Sequence, residues 1–149
     1  PGYIRLNKSG EPKIHKEEEL KRIDLGQIIK VLEGDKVAVL SNSALLGTAL
    51  KQIKEKSLGY SLYSCPFIGD IDKKGLIKII SNYKKIITFE EHQLSAGFGS
   101  FILEEINNLY FRKKIKQFPL IERIAIPDIF QSISGSQEFL RRSSRLEIN

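Results

Sequence analysis

Ile86-Ile87-Thr88-Phe89-Glu90-Glu91-His92-Gln93-Leu94-Ser95-Ala96-Gly97-Phe98-Gly99-Ser100 is the stretch on which the reading of the fold turns. A β-branched, apolar segment runs into two carboxylates and a histidine, passes a short loop, and meets a Gly-x-Gly at the start of an amphipathic pattern. Strand, loop and helix in that order are one unit of an alternating α/β chain. From residue types alone the same stretch reads three ways, as a nucleotide loop, a catalytic cluster or a structural corner.

The neighbouring segments repeat the alternation. Ile28–Leu32 and Val37–Leu40 read as strands, the second apolar enough to be buried on both faces. Ser41-Asn42-Ser43 offers N-caps to a helix with Leu46, Ala49, Leu50 and Ile53 at helical spacing, ended by Gly59. Tyr60–Phe67 is a strand. Asp72 caps a helix carrying Leu76, Ile77, Ile79 and Ile80, and Lys85–Phe89 is the strand of the opening stretch. Gly99–Tyr110 is a helix, Leu120–Ile126 a strand stopped by Pro127, and Ser136–Leu146 a last helix. Tyr3–Leu6 reads as a further short strand, and the charged run Lys16–Lys21 as solvated. Such alternation predicts a mostly parallel sheet with helices on both faces. Locally, Gly34-Asp35 between two strands also reads as a hairpin turn.

Composition narrows the function classes. The chain has 149 residues, 41% hydrophobic and 28% charged, which suits one domain with a sizeable core. No apolar run approaches the roughly 20 residues of a membrane span. The single cysteine, Cys65, has no internal disulfide partner and sits in an apolar stretch, so a core residue in a reducing cytoplasm is expected. The net charge of +6 is spread over separate clusters, Lys73-Lys74, Lys84-Lys85, Arg112-Lys113-Lys114 and Arg141-Arg142, which does not support a nucleic-acid face. The chain contains no methionine and begins Pro-Gly, as expected of a piece of a longer polypeptide or a processed chain.

The chemistry-bearing residues argue against catalysis within this chain. A dinucleotide fingerprint needs Gly-x-Gly-x-x-Gly in a tight turn, but Ile102 stands at the third position and about seven residues separate Phe89 from Gly97. Gly97 and Gly99 are then read as helix-start residues, packed on the sheet with backbone angles that glycine tolerates. Glu90 and Glu91, adjacent on a strand, point to opposite faces and cannot act as a paired acid and base. One of them with His92 could move a proton at the strand's C-terminal edge. With His15 the only other histidine, a two-histidine metal site is poorly supported. The residue types favour a structural or interfacial role for Glu90, Glu91 and His92.

Glu-Glu-His, a short loop and Gly-x-Gly-Ser opening a helix resemble the C-terminal domain of the transketolase family, which includes 1-deoxy-D-xylulose-5-phosphate synthase and the beta subunits of 2-oxoacid dehydrogenases. The resemblance extends over roughly Asp24 to Leu146. Leu32-Glu33-Gly34-Asp35-Lys36-Val37-Ala38-Val39-Leu40-Ser41 resembles the family's Glu-Gly-Asp-x-Val strand, and Ala44 to Lys54 its first helix. Ile126-Pro127-Asp128-Ile129-Phe130 resembles Gly-Ile/Leu-Pro-Asp-x-Phe, and Gly135-Ser136-Gln137 leads into the terminal helix. Two departures are Gly69-Asp70-Ile71-Asp72 for Lys-Pro-Leu-Asp, and Ala96-Gly97 for Gly-Gly.

The resemblance implies a three-layer α/β/α domain whose five-stranded, mostly parallel sheet has its first strand antiparallel at an edge. That arrangement is preferred over the local hairpin because the second strand is too apolar for an edge. It implies residues 1–15 as the end of a preceding pyrimidine-binding domain plus linker, and 16–149 as the domain itself. It implies a parent enzyme, expected to be a cytoplasmic homodimer, in which thiamine diphosphate and Mg²⁺ are bound by partner domains. This domain is then accessory and dimer-supporting, binding no cofactor alone. Pro1–Lys8 resembles the last strand of the middle domain, with Lys8 where the family carries an arginine for the substrate phosphate. The leading expectation is two-carbon ketol transfer between sugars by the parent enzyme. The alternatives are a deoxyxylulose-phosphate synthase, a 2-oxoacid dehydrogenase beta subunit, or a stand-alone protein-interaction module.

Overall fold

The computed structural model describes residues 3–4, 11–130 and 132–149. The elements run α1 (Glu17–Leu20), β1 (Ile29–Leu32), β2 (Ala38–Ser41), α2 (Leu45–Glu55), β3 (Ser61–Ser64), α3 (Lys73–Asn82), β4 (Lys85–Gln93), α4 (Phe98–Phe111), β5 (Leu120–Ile126) and α5 (Gln137–Ser143). The five strands form one sheet in the order β1-β3-β2-β4-β5. The β3–β2, β2–β4 and β4–β5 pairs are parallel, and β1 lies antiparallel on β3 at the edge. The predicted α/β fold with an antiparallel first strand is therefore the observed one. Of the strand read over Tyr3–Leu6, Arg5 and Leu6 lie outside the described residues, while Tyr3 and Ile4 have no regular structure.

Two apolar clusters sandwich the sheet. One packs Leu76 and Ile79 of α3 with Ile102, Ile106 and Leu109 of α4 against Ala38, Leu40 and Ile86. The other packs Leu45, Leu46, Ala49 and Ile53 of α2 with Leu146 and Ile148 against Val39, Leu62, Ile87 and Phe89. Alternate residues of β2 and β4 thus serve opposite faces, as a period of two requires. The stretches Ala38–Leu40 of β2 and Ile86–Ile87 of β4 are apolar on both faces because neither face meets water there.

The hairpin signal at Gly34-Asp35 yields to tertiary pairing. Asp35 and Lys36 donate backbone N–H groups to Gly59 O, and Ser61 Oγ is bonded to both Gly34 N and Gly34 O at 2.8 Å. Tyr83 Oη closes the cluster at 2.7 Å from Ser61 Oγ and 3.1 Å from Gly34 O. The turn passes over the start of β3, which inserts between β1 and β2. A Cβ at Gly34 would meet the backbone of Gly59 and Tyr60, so close approach of main chains requires the glycine.

Several predicted ends move. The first crossover helix starts after Ala44 with no side-chain cap, because Ser41 belongs to β2 and its Oγ donates to Phe89 O at 2.9 Å. It ends at Glu55 rather than at Gly59: Leu58 N returns to Ile53 O and Ser57 N to Lys54 O, with Ser57 at φ 51°. The same 6→1 and 5→2 closure ends α4 with Lys113 at φ 56° and α5 with Arg145 at φ 55°. The last helix therefore stops at Ser143, and Leu146 turns back into the core. β3 covers only part of Tyr60–Phe67, and β4 continues past Phe89 to Gln93.

Left-handed backbone costs a non-glycine residue about 1–2 kcal/mol. The exposed Lys113 makes that cost removable: Lys113→Gly is expected to raise the unfolding free energy by about 0.5–1 kcal/mol in urea titration, after allowing for the added freedom of the unfolded chain.

Candidate functional site

The C-terminal end of β4 gathers the residues that the sequence singled out. Between Phe89, paired with Ile124, and Gln93, paired with Ile126, β4 places three residues against Ala125 of β5. The irregularity spans Glu90, Glu91 and His92 while the strand continues to Gln93. Only Leu94, Ser95 and Ala96 then separate β4 from the Gly97 N-cap of α4. The turn is thus shorter than the seven residues expected, and the absence of the third glycine remains the argument against a dinucleotide loop.

Glu90 is buried under the N-terminus of α4. Its Oε1 accepts from Gly99 N at 2.7 Å and its Oε2 from Phe98 N. Gly97 has no side chain with which to cap the helix, so a carboxylate from the preceding strand satisfies two of the free N–H groups. Burial pushes the Glu90 carboxyl above the usual carboxylate range, while the Gly99 and Phe98 N–H groups and the charges of His92 and Arg123 pull it back.

The glycines and the glutamate form one device. A Cβ at Gly97 would run into Glu90 Oε2 and stand 2.6 Å from Gln93 O. One at Gly99 would stand 2.5 Å from Thr88 Oγ1 and 2.8 Å from Glu90 Oε1. The expectation that both need glycine backbone angles is corrected here. Gly97 has φ −82°, the left-handed residue of this turn is Ala96 at φ 56°, and it is space for the carboxylate that excludes side chains at Gly97 and Gly99.

Glu91 points to the other face. Arg141 of α5 grips it with a two-pronged contact, Nε to Oε1 at 2.9 Å and Nη2 to Oε2 at 3.1 Å. The same guanidinium reaches Glu11 Oε1 at 3.3 Å and Thr48 Oγ1 at 3.4 Å. It therefore joins the segment before α1, α2, β4 and α5. His92 is exposed, with Nδ1 3.1 Å from Gln93 O. Asp128, after Pro127, ties the loop behind β5 to the loop behind β4: its carboxylate accepts from Ser95 N at 3.1 Å and Ser95 Oγ at 2.5 Å. Those bonds hold the Asp128 carboxyl below the usual range. Asp72 caps α3 by accepting from Lys74 N at 3.0 Å, away from this cluster. Lys8 lies outside the described residues.

Arg141, Glu11, Ser95 and Arg123 escaped the sequence reading. Arg123 Nη1 donates to Ser100 Oγ at 2.9 Å and to Leu94 O at 3.3 Å, pinning the same loop. Arg141 and Arg142 look alike as a basic doublet, yet one is largely buried and the other faces water. No local signal separates them.

Glu90 and Glu91 are both engaged and face apart, and burial pushes the Cys65 thiol far up, away from its nucleophilic form. Among the described residues no three His, Cys, Asp or Glu side chains converge on a metal position. These donors do not fit a diphosphate–Mg²⁺ site. Among the described residues no helix is long and apolar enough to cross a membrane.

Two measurements address the Glu90 device. Gly99→Ala is expected to cost about 1–2 kcal/mol by urea unfolding, since overpacking outweighs the helix propensity gained. The raised Glu90 carboxyl binds its proton more tightly in the folded chain, so ionisation opposes folding. The stability of the native protein relative to Glu90→Gln should be full below the unfolded value of about 4.3 and fall as pH rises through the folded value. Paired urea titrations from about pH 4 to about pH 8 read that difference.

Comparison with known proteins agrees with this architecture. The family described as "Transketolase, C-terminal domain" matches residues 26–140. A 1-deoxy-D-xylulose-5-phosphate synthase of Clostridium perfringens is 30% identical over 142 residues, 91% of this chain and 23% of that protein. One of Parabacteroides distasonis is 30% identical over 115 residues, 75% of this chain and 17% of that protein. The chain thus spans less than a quarter of the length of these curated relatives. Among solved structures, a "Split gene transketolase, inactive beta4 tetramer" superposes with a TM-score of 0.78 at 20% identity, over 93% of this chain and 43% of that one. The sheet with its antiparallel edge strand, the Glu-Glu-His strand end and the matched residues together place this chain in the transketolase C-terminal domain family.

Proposed function

We propose that this chain is the C-terminal accessory domain of a thiamine-diphosphate-dependent enzyme that transfers two-carbon ketol units between sugars, acting in the cytoplasm as a homodimer. Residues 1–15 serve as the end of a preceding domain and its linker, and 16–149 as the accessory domain. The observation that carries the reading is the family match over 26–140, joined to a site whose carboxylates are consumed by structure. Preceding domains or a cognate subunit hold the cofactor, which supplies a carbanion for the carbon transfer. This domain contributes a rigid platform, with the Arg141 cluster setting how the linker joins the sheet and His92 exposed toward a neighbour.

A second reading is a deoxyxylulose-phosphate synthase, favoured by the 30% identity to such enzymes over 91% of the chain. The two readings differ chemically. A 1-deoxy sugar has a methyl carbon, so its two-carbon donor must be a methyl-bearing 2-oxo acid that loses CO₂, whereas a ketol donor loses none.

The full-length parent enzyme, supplied with thiamine diphosphate and Mg²⁺, separates them. Transfer from a ketose to an aldose without CO₂ release is the expected result. CO₂ release from a 2-oxo acid with formation of a 1-deoxy ketose establishes the second reading, and no cofactor-dependent product with either donor overturns both.

A further inference from the structure

Two of the basic clusters that stand apart in sequence meet in the fold. Leu120 N donates to Lys84 O at 2.9 Å and Leu120 pairs with Lys85, so both lysines lie beside the loop that joins α4 to β5. That loop carries Arg112, Lys113, Lys114 and Lys116. The one acid among residues 84–85 and 112–122 is Glu122, bridged to Lys85 at 2.6 Å. Six cations against one carboxylate place five of the chain's net six positive charges at this end of the sheet. The end of α4 offers them only about half a negative charge. Of the six, Lys85 alone has a side-chain partner among the described residues. Like charges held this close repel one another, a cost that an anionic counter-surface removes.

Apolar side chains stand among these cations. Phe111 is 85% exposed, Leu120 66%, Tyr110 48% and Phe118 42%. The backbone that presents them is held in place: Lys113 N donates to Tyr110 O and Lys114 N to Leu109 O, both at 2.9 Å, and Ile115 is buried beneath the loop. Apolar groups kept outward on a fixed backbone mark a contact surface.

The mixture of side chains selects the partner. Charge complementarity calls for an anion. A single-stranded polynucleotide is gripped by bases stacking on open ring faces. Here Tyr110 and Phe118 meet edge to face with centroids 5.9 Å apart, and Leu120 has no ring. A bilayer takes aliphatic and aromatic side chains alike at its headgroup boundary, and its phosphates take the flanking cations. We propose that this end of the sheet, with Phe111 and Leu120 set among the cations of 84–85 and 112–116, is a docking surface for an anionic lipid bilayer. The contact is peripheral: Phe111 and Leu120 enter the headgroup boundary while the cations lie on the lipid phosphates.

Flotation of the full-length parent enzyme with lipid vesicles tests this. The bound fraction on phosphatidylcholine and phosphatidylglycerol in equal parts is expected to be about fivefold or more above that on phosphatidylcholine alone, and to fall as salt rises from about 0.05 to about 0.5 M. Lys114→Glu with Lys116→Glu, and separately Phe111→Ser, should each lower it about threefold or more. Lys51→Glu with Lys54→Glu makes the same change in net charge on α2, in the opposite layer, and should leave it unchanged. No binding to the anionic vesicles, equal binding to the neutral ones, or an equal loss in the α2 pair overturns the proposal. So does a tighter hold on single-stranded DNA that the same substitutions at 111, 114 and 116 abolish, which would make this a polynucleotide face. Vesicle binding is read apart from turnover, so its outcome and that of the donor assay are independent.

Discussion

The carboxylate of Glu90 under the N-terminus of α4 is the contact on which the end of the sheet depends. A fourteen-residue helix starts from a glycine with no capping side chain, and the N–H groups of Phe98 and Gly99 point at the buried Glu90 carboxyl, eight and nine residues upstream. The two backbone N–H groups offset part of the cost of burying the carboxyl, and leaving it without those donors would cost more. Strand and helix are therefore joined by a bond that forms only when β4 and α4 are already in place. Gly97 and Gly99 are the spatial requirement of that bond.

From this join the remaining contacts follow in order. At the end of β4 Glu90 faces α4 while Glu91 faces α5, so adjacent carboxylates serve opposite layers. Arg141 collects Glu91, Glu11 and Thr48 and so ties together segments distant in sequence. Arg123 and the Ser95–Asp128 pair then fix the loops on the β5 side. Removing Arg141 would strand Glu91 and Glu11 together, two partly buried anions without their counter-charge. At the strand end that elsewhere in α/β folds carries chemistry, both glutamates are thus engaged in holding parts in position, while His92 stays exposed.

Much of the architecture was legible in sequence because periodicity carries it. The short β-branched runs Val37–Leu40 and Ile86–Phe89 read as buried strands, and the spacing of Leu76, Ile79, Ile102 and Ile106 fits helices with one apolar face. The opposite pointing of Glu90 and Glu91 also follows from strand geometry alone. Element ends were less legible. Three helices close on Ser57, Lys113 and Arg145 in left-handed conformation, where glycine is the usual signal, so their stops carried no mark.

By itself the sequence determined the alternation of strands and helices, which faces are apolar, and the motif string that identifies the family. The tertiary structure alone decided the rest, because the deciding contacts join residues far apart in the chain. Gly34-Asp35 is a hairpin turn locally and becomes a bridge over β3 only when Ser61 and Tyr83 arrive. Arg141 and Arg142 are chemically identical and become a buried clamp and a solvated side chain only when α5 docks. Gly97 and Gly99 look like a nucleotide loop until Glu90 occupies the space that they leave.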